Sequence, residues 1–191
     1  IMNPGNDPII PALTLTPPGY TRSARLGNSG SGAQAEGLRY TYNVQNNSSL
    51  FEYVFAVVLE DPGHSPAQQP RFELQVLNQN NQSIPCTFYQ VTAAGNVPGF
   101  QTQGGVRWRN WTKVGVDLLP YIGQNVTIEA RTGDCSLSGH YGYGYIVGSC
   151  QPLVISVAYC IGDSVATLFA PSGFSSYQWR IQGQPQVLST Q

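Results

Sequence analysis

Short runs of β-branched and aromatic residues, bounded by glycine, proline or asparagine, recur at close intervals from residue 21 to residue 147. Runs of this kind with turn residues between them are typical of antiparallel strands. The sequence predicts strands at 21–26, 38–44, 51–60, 71–77, 86–91, 106–109, 113–117, 125–131 and 141–147. Eight or nine short strands in roughly 130 residues predict an all-β fold, an antiparallel β-sandwich of the jelly-roll type.

The hydrophobic pattern inside the runs indicates how each strand is buried. RFELQVL (71–77) alternates apolar and polar residues, so this strand should face a core on one side only. YVFAVVL (53–59) is apolar on both faces and predicts a central strand. The composition agrees, because 21 glycines and 14 prolines among 191 residues favour turns over helices.

Two further segments flank the predicted sandwich, which we place at 21–150. Five prolines before residue 19 predict that residues 1–20 form an extended linker or entry segment with little regular structure. Residues 151–191 contain three more strand-like runs, PLVISVAY, SVATLFAP and YQWRIQ. Trp179 is placed like the buried tryptophan of an immunoglobulin strand C, so this segment predicts the N-terminal part of an Ig-like domain.

The low charge content of the sequence argues against nucleic acid as a partner. Only 10% of the residues are charged and the formal net charge is −1, whereas nucleic-acid-binding proteins usually carry a basic stripe. Nucleic acid is therefore not an expected partner. No apolar run reaches the roughly 20 residues that a membrane-spanning helix needs, so no membrane span is expected.

The stretch SGHYGYGYIVGSC (138–150) places Tyr141, Tyr143 and Tyr145 on one face of a strand and glycines on the other. Exposed rings flanked by hydrogen-bonding groups would form a platform for sugars. Alternation that continues to Val147 instead favours rings that face a second sheet, with glycines that let a neighbouring strand or loop approach closely. We favour the buried interpretation, with Tyr141 as the most exposed ring.

The best glycan-binding candidate is RWRNWTK (107–113). Arg107 and Arg109 should share one strand face, with Trp108 on the other face and Trp111 near the strand end. Tryptophan rings stack on pyranose faces, and arginines bind hydroxyls or carboxylates, so these four residues with Tyr141 suit a polysaccharide. The competing interpretation is one tryptophan in the core and one covering a loop.

A cation site is a weaker hypothesis. EDPGH (60–64) and DCSLSGH (134–140) each place an acid near a histidine, so Asp61, His64, Asp134 and His140 could ligate a metal. The competing interpretation is that these side chains fix loops by hydrogen bonds to backbone amides. Structural calcium is the cation that we expect if one is bound, and the sequence predicts no other cofactor.

Four cysteines without CxxC spacing favour disulfides in an exported protein over zinc. If 126–134 and 141–149 form a hairpin, Cys135 lies at its turn and Cys150 about 30 Å away, which disfavours that pair. The same reach argument weakens a bond between Cys150 and Cys160. We therefore predict a disulfide between Cys86 and Cys135.

Several stretches together resemble a known class of protein. They are RSARLGNSGSGAQAEGLRYTYNV (22–44), YVFAVVLEDPGHSPAQQPRFELQVLN (53–78), VGVDLLPYIGQNVTIEARTGDCSLSGHYGYGYIVGSC (114–150) and CIGDSVATLFAPSGFSSYQW (160–179). The chain from about residue 20 is similar to the multi-modular gliding-motility adhesins that Bacteroidota export by the type IX secretion system. In that family a jelly-roll module precedes Ig-like or PKD-like repeats. YIVGSC lacks the acidic residue that relatives tend to carry after the last core strand, which weakens any metal site that depends on it.

The resemblance implies a non-catalytic segment of a secreted adhesin on the outer cell surface, and it supplies no ligand. Weak polysaccharide binding is expected from the RWRNWTK stretch and Tyr141 instead. The segment's expected partners are a polysaccharide or cell surface, the type IX secretion machinery during export, and neighbouring repeats of the same long chain. No GxSxG, HExxH or phosphate-binding glycine loop indicates an enzyme. Two alternatives stay open: a purely structural spacer of a surface filament, and a carbohydrate-binding accessory module of a secreted glycan-degrading enzyme.

Overall fold

Two antiparallel sheets form the body of the protein in a computed structural model that describes residues 1–95, 97–162 and 164–190. The five-stranded sheet contains, in spatial order, β1 (Ala24–Leu26), β9 (Gly142–Gln151), β3 (Leu50–Glu60), β7 (Val106–Asp117) and β6 (Gln101–Gln103). The four-stranded sheet contains β2 (Ala35–Asn43), β8 (Asn125–Gly133), β4 (Arg71–Leu77) and β5 (Tyr89–Thr92). Short 3₁₀ turns occupy Asn46–Ser48, Pro66–Gln68 and Leu119–Tyr121.

The strand order is that of a jelly roll. If the short hairpin strand β6 is set aside, the sheets read β1-β9-β3-β7 and β2-β8-β4-β5. Successive strands therefore alternate between the two sheets, except at β4 and β5, as they do when a chain winds two Greek keys into a sandwich. The all-β sandwich of jelly-roll type that the sequence predicts is confirmed.

The core between the sheets is built from the alternating positions of both. The inward side chains of β4 and β8 are Phe72, Leu74, Val76, Val126, Ile128 and Ala130, all buried. They pack against Phe55 and its neighbours from the five-stranded sheet, and the rings of Phe55 and Phe72 stack with centroids 5.6 Å apart. As its two-sided apolar pattern predicts, β3 is central, and only its last residue, Glu60, is not fully buried.

One predicted strand boundary and one premise of the disulfide argument were wrong. The runs at 106–109 and 113–117 form one strand, β7, which continues through an irregularity opposite Phe55 and Val57. The runs near 126–134 and 141–149 do not form a hairpin, because β8 and β9 belong to different sheets. The irregularity explains why β7 was predicted as two strands. A β-bulge keeps a strand continuous while changing its register, and the polar residues of the bulge resemble a turn in the sequence.

Residues 1–20 are not a linker. Ile10 and Leu13 are completely buried, and they pack on the outer face of the five-stranded sheet beside Tyr143 and Tyr145. Isolated bridges from Met2 to Ser23 and from Asn6 to Thr14 hold the segment. This third layer, which we call the N-terminal cover, gives the sandwich a second core.

The described residues of the C-terminal segment, 152–162 and 164–190, contain two antiparallel pairs, one of β10 (Ser156–Ala158) with β11 (Thr167–Phe169) and one of β12 (Gln178–Arg180) with β13 (Val187–Thr190). The three predicted runs thus contain β10, β11 and β12. Phe174 and the backbone of Gly173 contact Gly115, which joins this segment to the sandwich. Assignment of the segment to an Ig-like domain stays a prediction. Within the described residues, no helix has the length and apolar character required to cross a membrane.

Candidate functional site

The tyrosine row is buried, but beneath a layer that the sequence did not predict. Tyr143 and Tyr145 are inaccessible to solvent, and they point away from the opposite sheet into the N-terminal cover. The glycines occupy the inward face, where a β-carbon on Gly144 would approach the Phe72 ring to 2.8 Å. The expected close approach at the glycines is therefore confirmed, whereas the expected contact of the tyrosines with a second sheet is wrong.

A buried carboxylate fastens the cover to this row. Asp7 accepts hydrogen bonds from the hydroxyl groups of Tyr143, at 3.0 Å, and Tyr145, at 2.7 Å. It also accepts the backbone N–H groups of Ile9 and Ile10, which form an Asx turn. Burial, reinforced by the negative charge of Asp7, raises the pKa of both tyrosines well above their ordinary value.

The tryptophans predicted to bind glycans hold the same cover. Trp108 is only 5% exposed and lies in the core beneath the N-terminal cover, so it cannot stack on a sugar. The Trp111 indole N–H donates to the carbonyl oxygen of Thr14 at 2.9 Å, and its ring lies 6.1 Å from that of Tyr145. The competing interpretation was one tryptophan in the core and one covering a loop. Trp108 lies in the core, and Trp111 covers the irregular N-terminal segment at Thr14.

The other members of the predicted glycan set are also engaged. Arg107 forms a salt bridge of 2.8 Å with Asp61. Arg109 lies over the Phe55 ring and donates to Tyr89. Tyr141 is half-buried and stacks on Tyr143 with ring centroids 5.9 Å apart. These five side chains do not form one open platform.

The aspartates of the predicted cation site fix loops instead. Asp61 accepts from Gly63 N–H, Gln69 and Arg107. Burial raises the pKa of Asp61, but these hydrogen bonds outweigh burial and lower it overall. Asp134 accepts the backbone N–H groups of Gln34 and Gly142.

The two predicted histidines do meet, and a cysteine completes the group. Their rings lie edge to face with centroids 5.3 Å apart. His64 Nδ1 lies 3.3 Å from the sulfur of Cys135, and one ligand atom from each of His64, Cys135 and His140 falls within 4.8 Å of the others. Cys135 was not predicted as a member of this group, because the sequence favoured a disulfide for that residue.

That disulfide, between Cys86 and Cys135, is absent and is a correction to the prediction. The two cysteines lie near opposite ends of β4. Cys86 is close to its C-terminal end, where the Ile84 N–H donates to the Val76 carbonyl oxygen. Cys135 is close to its N-terminal end, because it follows Gly133 of β8, which pairs with Arg71. The seven residues of β4 separate the two sites by about 20 Å, at roughly 3.4 Å per residue. A disulfide requires Cα atoms within about 7 Å.

The outer face of the four-stranded sheet carries an ordered array of polar side chains. Glu129, 4% exposed, accepts from Arg39 at 3.1 Å, Gln75 at 2.9 Å and Arg131 at 2.9 Å. Glu73 similarly accepts from Arg71 and Gln90. We call this array, with the adjoining Phe88, the polar face: Arg39, Arg71, Glu73, Gln75, Phe88, Gln90, Glu129 and Arg131.

Phe88 is the aromatic member of the polar face. The residue is 56% exposed and lines a shallow depression with Glu73, Gln75, Glu129 and Arg131. Tyr89, the next residue, packs against the core. Phe88 therefore satisfies the criterion of an exposed ring flanked by hydrogen-bonding groups. The sequence signal for this surface was the polar alternation of RFELQVL, which predicts a solvent-facing side of the strand but not what that side binds.

An apolar cleft of about 400 Å³ opens between the sheets at the edge where β1 and β2 lie. Leu38 and Tyr40 of β2 point inward but are largely exposed, because β1 is only three residues long and leaves them uncovered. Phe51 and Ile146 form the floor of the cleft. The cleft offers few polar groups, so it suits an apolar side chain better than a sugar.

Comparison with known proteins does not show a family for this chain. The sequence matches no family model and no curated protein. A solved structure of the infectious bursal disease virus Gx strain aligns with 78% of this chain and 36% of its own, at 11% identity and a TM-score of 0.28. The chain thus spans about a third of the viral chain, and the jelly-roll assignment depends on the strand order alone.

Proposed function

We propose that the protein is a non-catalytic, adhesive module of a secreted bacterial cell-surface protein and that its polar face binds polysaccharide weakly. The observation that supports this proposal best is the exposed Phe88 ring beside a fixed array of arginine, glutamate and glutamine side chains. Aromatic rings pack on the apolar faces of sugars, and arginine and amide groups bond to hydroxyls. The location on the bacterial surface rests on the sequence resemblance to type IX-secreted adhesins.

The polar face is organised before any ligand binds. Arg39 and Arg131 both contact Glu129, yet their side chains are 57% and 56% exposed. Each guanidinium group has five N–H donors, so donors remain for a ligand. Because the arginines are already oriented, binding costs less conformational entropy than it would at free side chains.

The charge balance favours an acidic polysaccharide. Three arginines and two glutamates give the polar face a surplus of one positive charge, and both glutamates already accept hydrogen bonds from neighbouring side chains. The free capacity consists mainly of donors, which match the acceptors of uronic carboxylates and hydroxyls. One shallow site binds weakly, and many copies on a long surface protein would raise the effective concentration.

The test compares binding of the chain to alginate, a uronic acid polymer, and to neutral dextran by affinity electrophoresis. We expect retardation by alginate, and a loss of about tenfold or more in affinity for both Phe88→Ala and Arg131→Gln. Phe169→Ala is the matched control, because Phe169 is 52% exposed and lies on β11, which pairs with β10 and is not a strand of the four-stranded sheet. Unchanged binding by the two polar-face variants would overturn the assignment to this surface.

The alternatives give different results. A structural spacer would not bind either polymer, even when the chain is displayed in many copies on a bead. An accessory module of a glycan-degrading enzyme would bind as an adhesin does, but its flanking coding sequence would contain a catalytic domain.

A further inference from the structure

We propose that His64, Cys135 and His140 form a zinc site that joins the two loops at one end of the sandwich. This inference is independent of the polysaccharide proposal. Around a tetrahedral zinc ion with bonds of about 2.0–2.3 Å, ligand atoms lie roughly 3.3–3.7 Å apart. The three available ligand atoms already lie within 4.8 Å of one another, so small side-chain rotations would complete the geometry.

His140 Nδ1 gives an independent indication of a ligand. This atom is buried, and no hydrogen-bond partner for it exists among the described residues. A buried polar atom without a partner costs free energy, and native proteins rarely leave one without a compensating water or ion. A bound metal ion would give this nitrogen the partner that the chain does not supply.

The loop backbone holds two of the ligands in place. The Cys135 N–H donates to the carbonyl oxygen of His140 at 2.9 Å, which closes the loop between β8 and β9. Asp134 accepts the Gly142 N–H across this loop and the Gln34 N–H from the segment that precedes β2. The third ligand, His64, lies in the loop between β3 and β4, so a metal would connect two loops that are distant in sequence.

The donor types select zinc over calcium. Thiolate and imidazole are ligands of zinc, whereas calcium takes carboxylate and carbonyl oxygens. Asp61 and Asp134, the oxygen donors that the sequence suggested, are engaged in other hydrogen bonds. In the proposed site the Cys135 sulfur also accepts the Leu137 N–H at 3.3 Å, the kind of outer contact that stabilises a bound thiolate.

A cysteine–histidine nucleophile is a poorer explanation of the same residues. Cys135 is completely buried, and a catalytic thiolate must be accessible to its substrate. A nucleophilic pair also gives no role to His140.

In the proposed zinc site, three protein ligands leave the fourth coordination position for water or a small ligand.

The test uses the full chain, stripped with a chelator, kept reduced and titrated with Zn²⁺ against a chromogenic competitor. We expect one zinc per chain and an increase in thermal stability. At free zinc about 100 times Kd, the ratio of folded to unfolded protein should rise about 100-fold. Co²⁺ in place of Zn²⁺ should produce a thiolate-to-cobalt charge-transfer band.

Cys135→Ser and His140→Gln should abolish specific uptake, and Cys86→Ser should retain it. Cys86 is the matched control because it is an exposed cysteine at the other end of the sheet. His140 is only half-buried, so its variant tests the site even if Cys135→Ser unfolds. The proposal is overturned if the wild type takes up no zinc, if His140→Gln binds it equally well, or if bound cobalt lacks the sulfur band.

Discussion

The hydroxyl group of Tyr145 donates a 2.7 Å hydrogen bond to Asp7, 138 residues earlier in the chain. This contact joins the last strand of the sandwich to the N-terminal cover. The Asp7 carboxylate is almost completely buried, and its bonds to two tyrosines and two backbone amides replace the water that it loses. A buried hydrogen-bond network therefore joins the cover to the sandwich.

Asp7→Ala should destabilise the protein by about 3 kcal/mol or more, because it leaves two tyrosine hydroxyls and two backbone N–H groups without their acceptor. Urea denaturation measures the change. Asp117→Ala is the control, since that exposed carboxylate accepts one backbone N–H and should cost about 1 kcal/mol. Equal losses for the two variants would show that the cover does not contribute to the stability of the sandwich.

Stability should fall at alkaline pH. Burial and the nearby Asp7 charge raise the pKa of Tyr143 and Tyr145 in the folded protein, whereas both tyrosines ionise near pH 10 when unfolded. Their contribution is thus complete below about pH 10 and is lost above it, by up to about 1.4 kcal/mol per pH unit for each group. Urea midpoints measured across this range should fall less steeply for Tyr143→Phe and Tyr145→Phe. The same slope in both variants and the wild type would contradict this prediction.

The sandwich could be predicted from the sequence because apolar and polar residues alternate within individual strands. RFELQVL places Phe72, Leu74 and Val76 on one face, and the structure buries all three. Strand pairing was harder to predict, since 126–134 and 141–149 are neighbours in the sequence but belong to different sheets. Alternation indicates which side of a strand is buried, not which layer covers it.

The N-terminal cover, the polar face and the histidine–cysteine cluster were harder to predict, because each depends on contacts between segments that are distant in the sequence. Proline-rich composition made residues 1–20 look like a linker, although Asp7 followed by Pro8 is a turn signal that fits the observed Asx turn. The polar face combines side chains from four strands, β2, β4, β5 and β8, so no single motif marks it. His64 and His140 were recognised individually, but only the fold brings His64 to the loop that holds both Cys135 and His140.

Neither a reducing agent nor substitution of Cys86 should change the free energy of unfolding, because Cys86 forms no disulfide. That side chain is exposed and has no disulfide to Cys135, so Cys86→Ser should shift the free energy of unfolding by less than about 0.5 kcal/mol. Loss of a native disulfide would instead cost about 2–5 kcal/mol. Urea denaturation with and without reductant, together with mass spectrometry of alkylated thiols, distinguishes the two cases. A loss of the larger size on reduction or substitution would restore the disulfide assignment.

Gly144→Ala tests the close approach of the two sheets. The added β-carbon would meet the Phe72 ring at 2.8 Å and the carbonyl oxygen of Ala56 at 3.1 Å, so we expect a loss of about 1–3 kcal/mol from overpacking. Gly139→Ala is the control, because nothing lies within 4 Å of its added carbon. In the double variant with Phe72→Leu, the smaller side chain should relieve part of the clash, giving a favourable coupling in a double-mutant cycle of unfolding free energies. Additive losses would mean that Gly144 is not required by the Phe72 ring, and that the glycine face of β9 does not set the distance between the sheets.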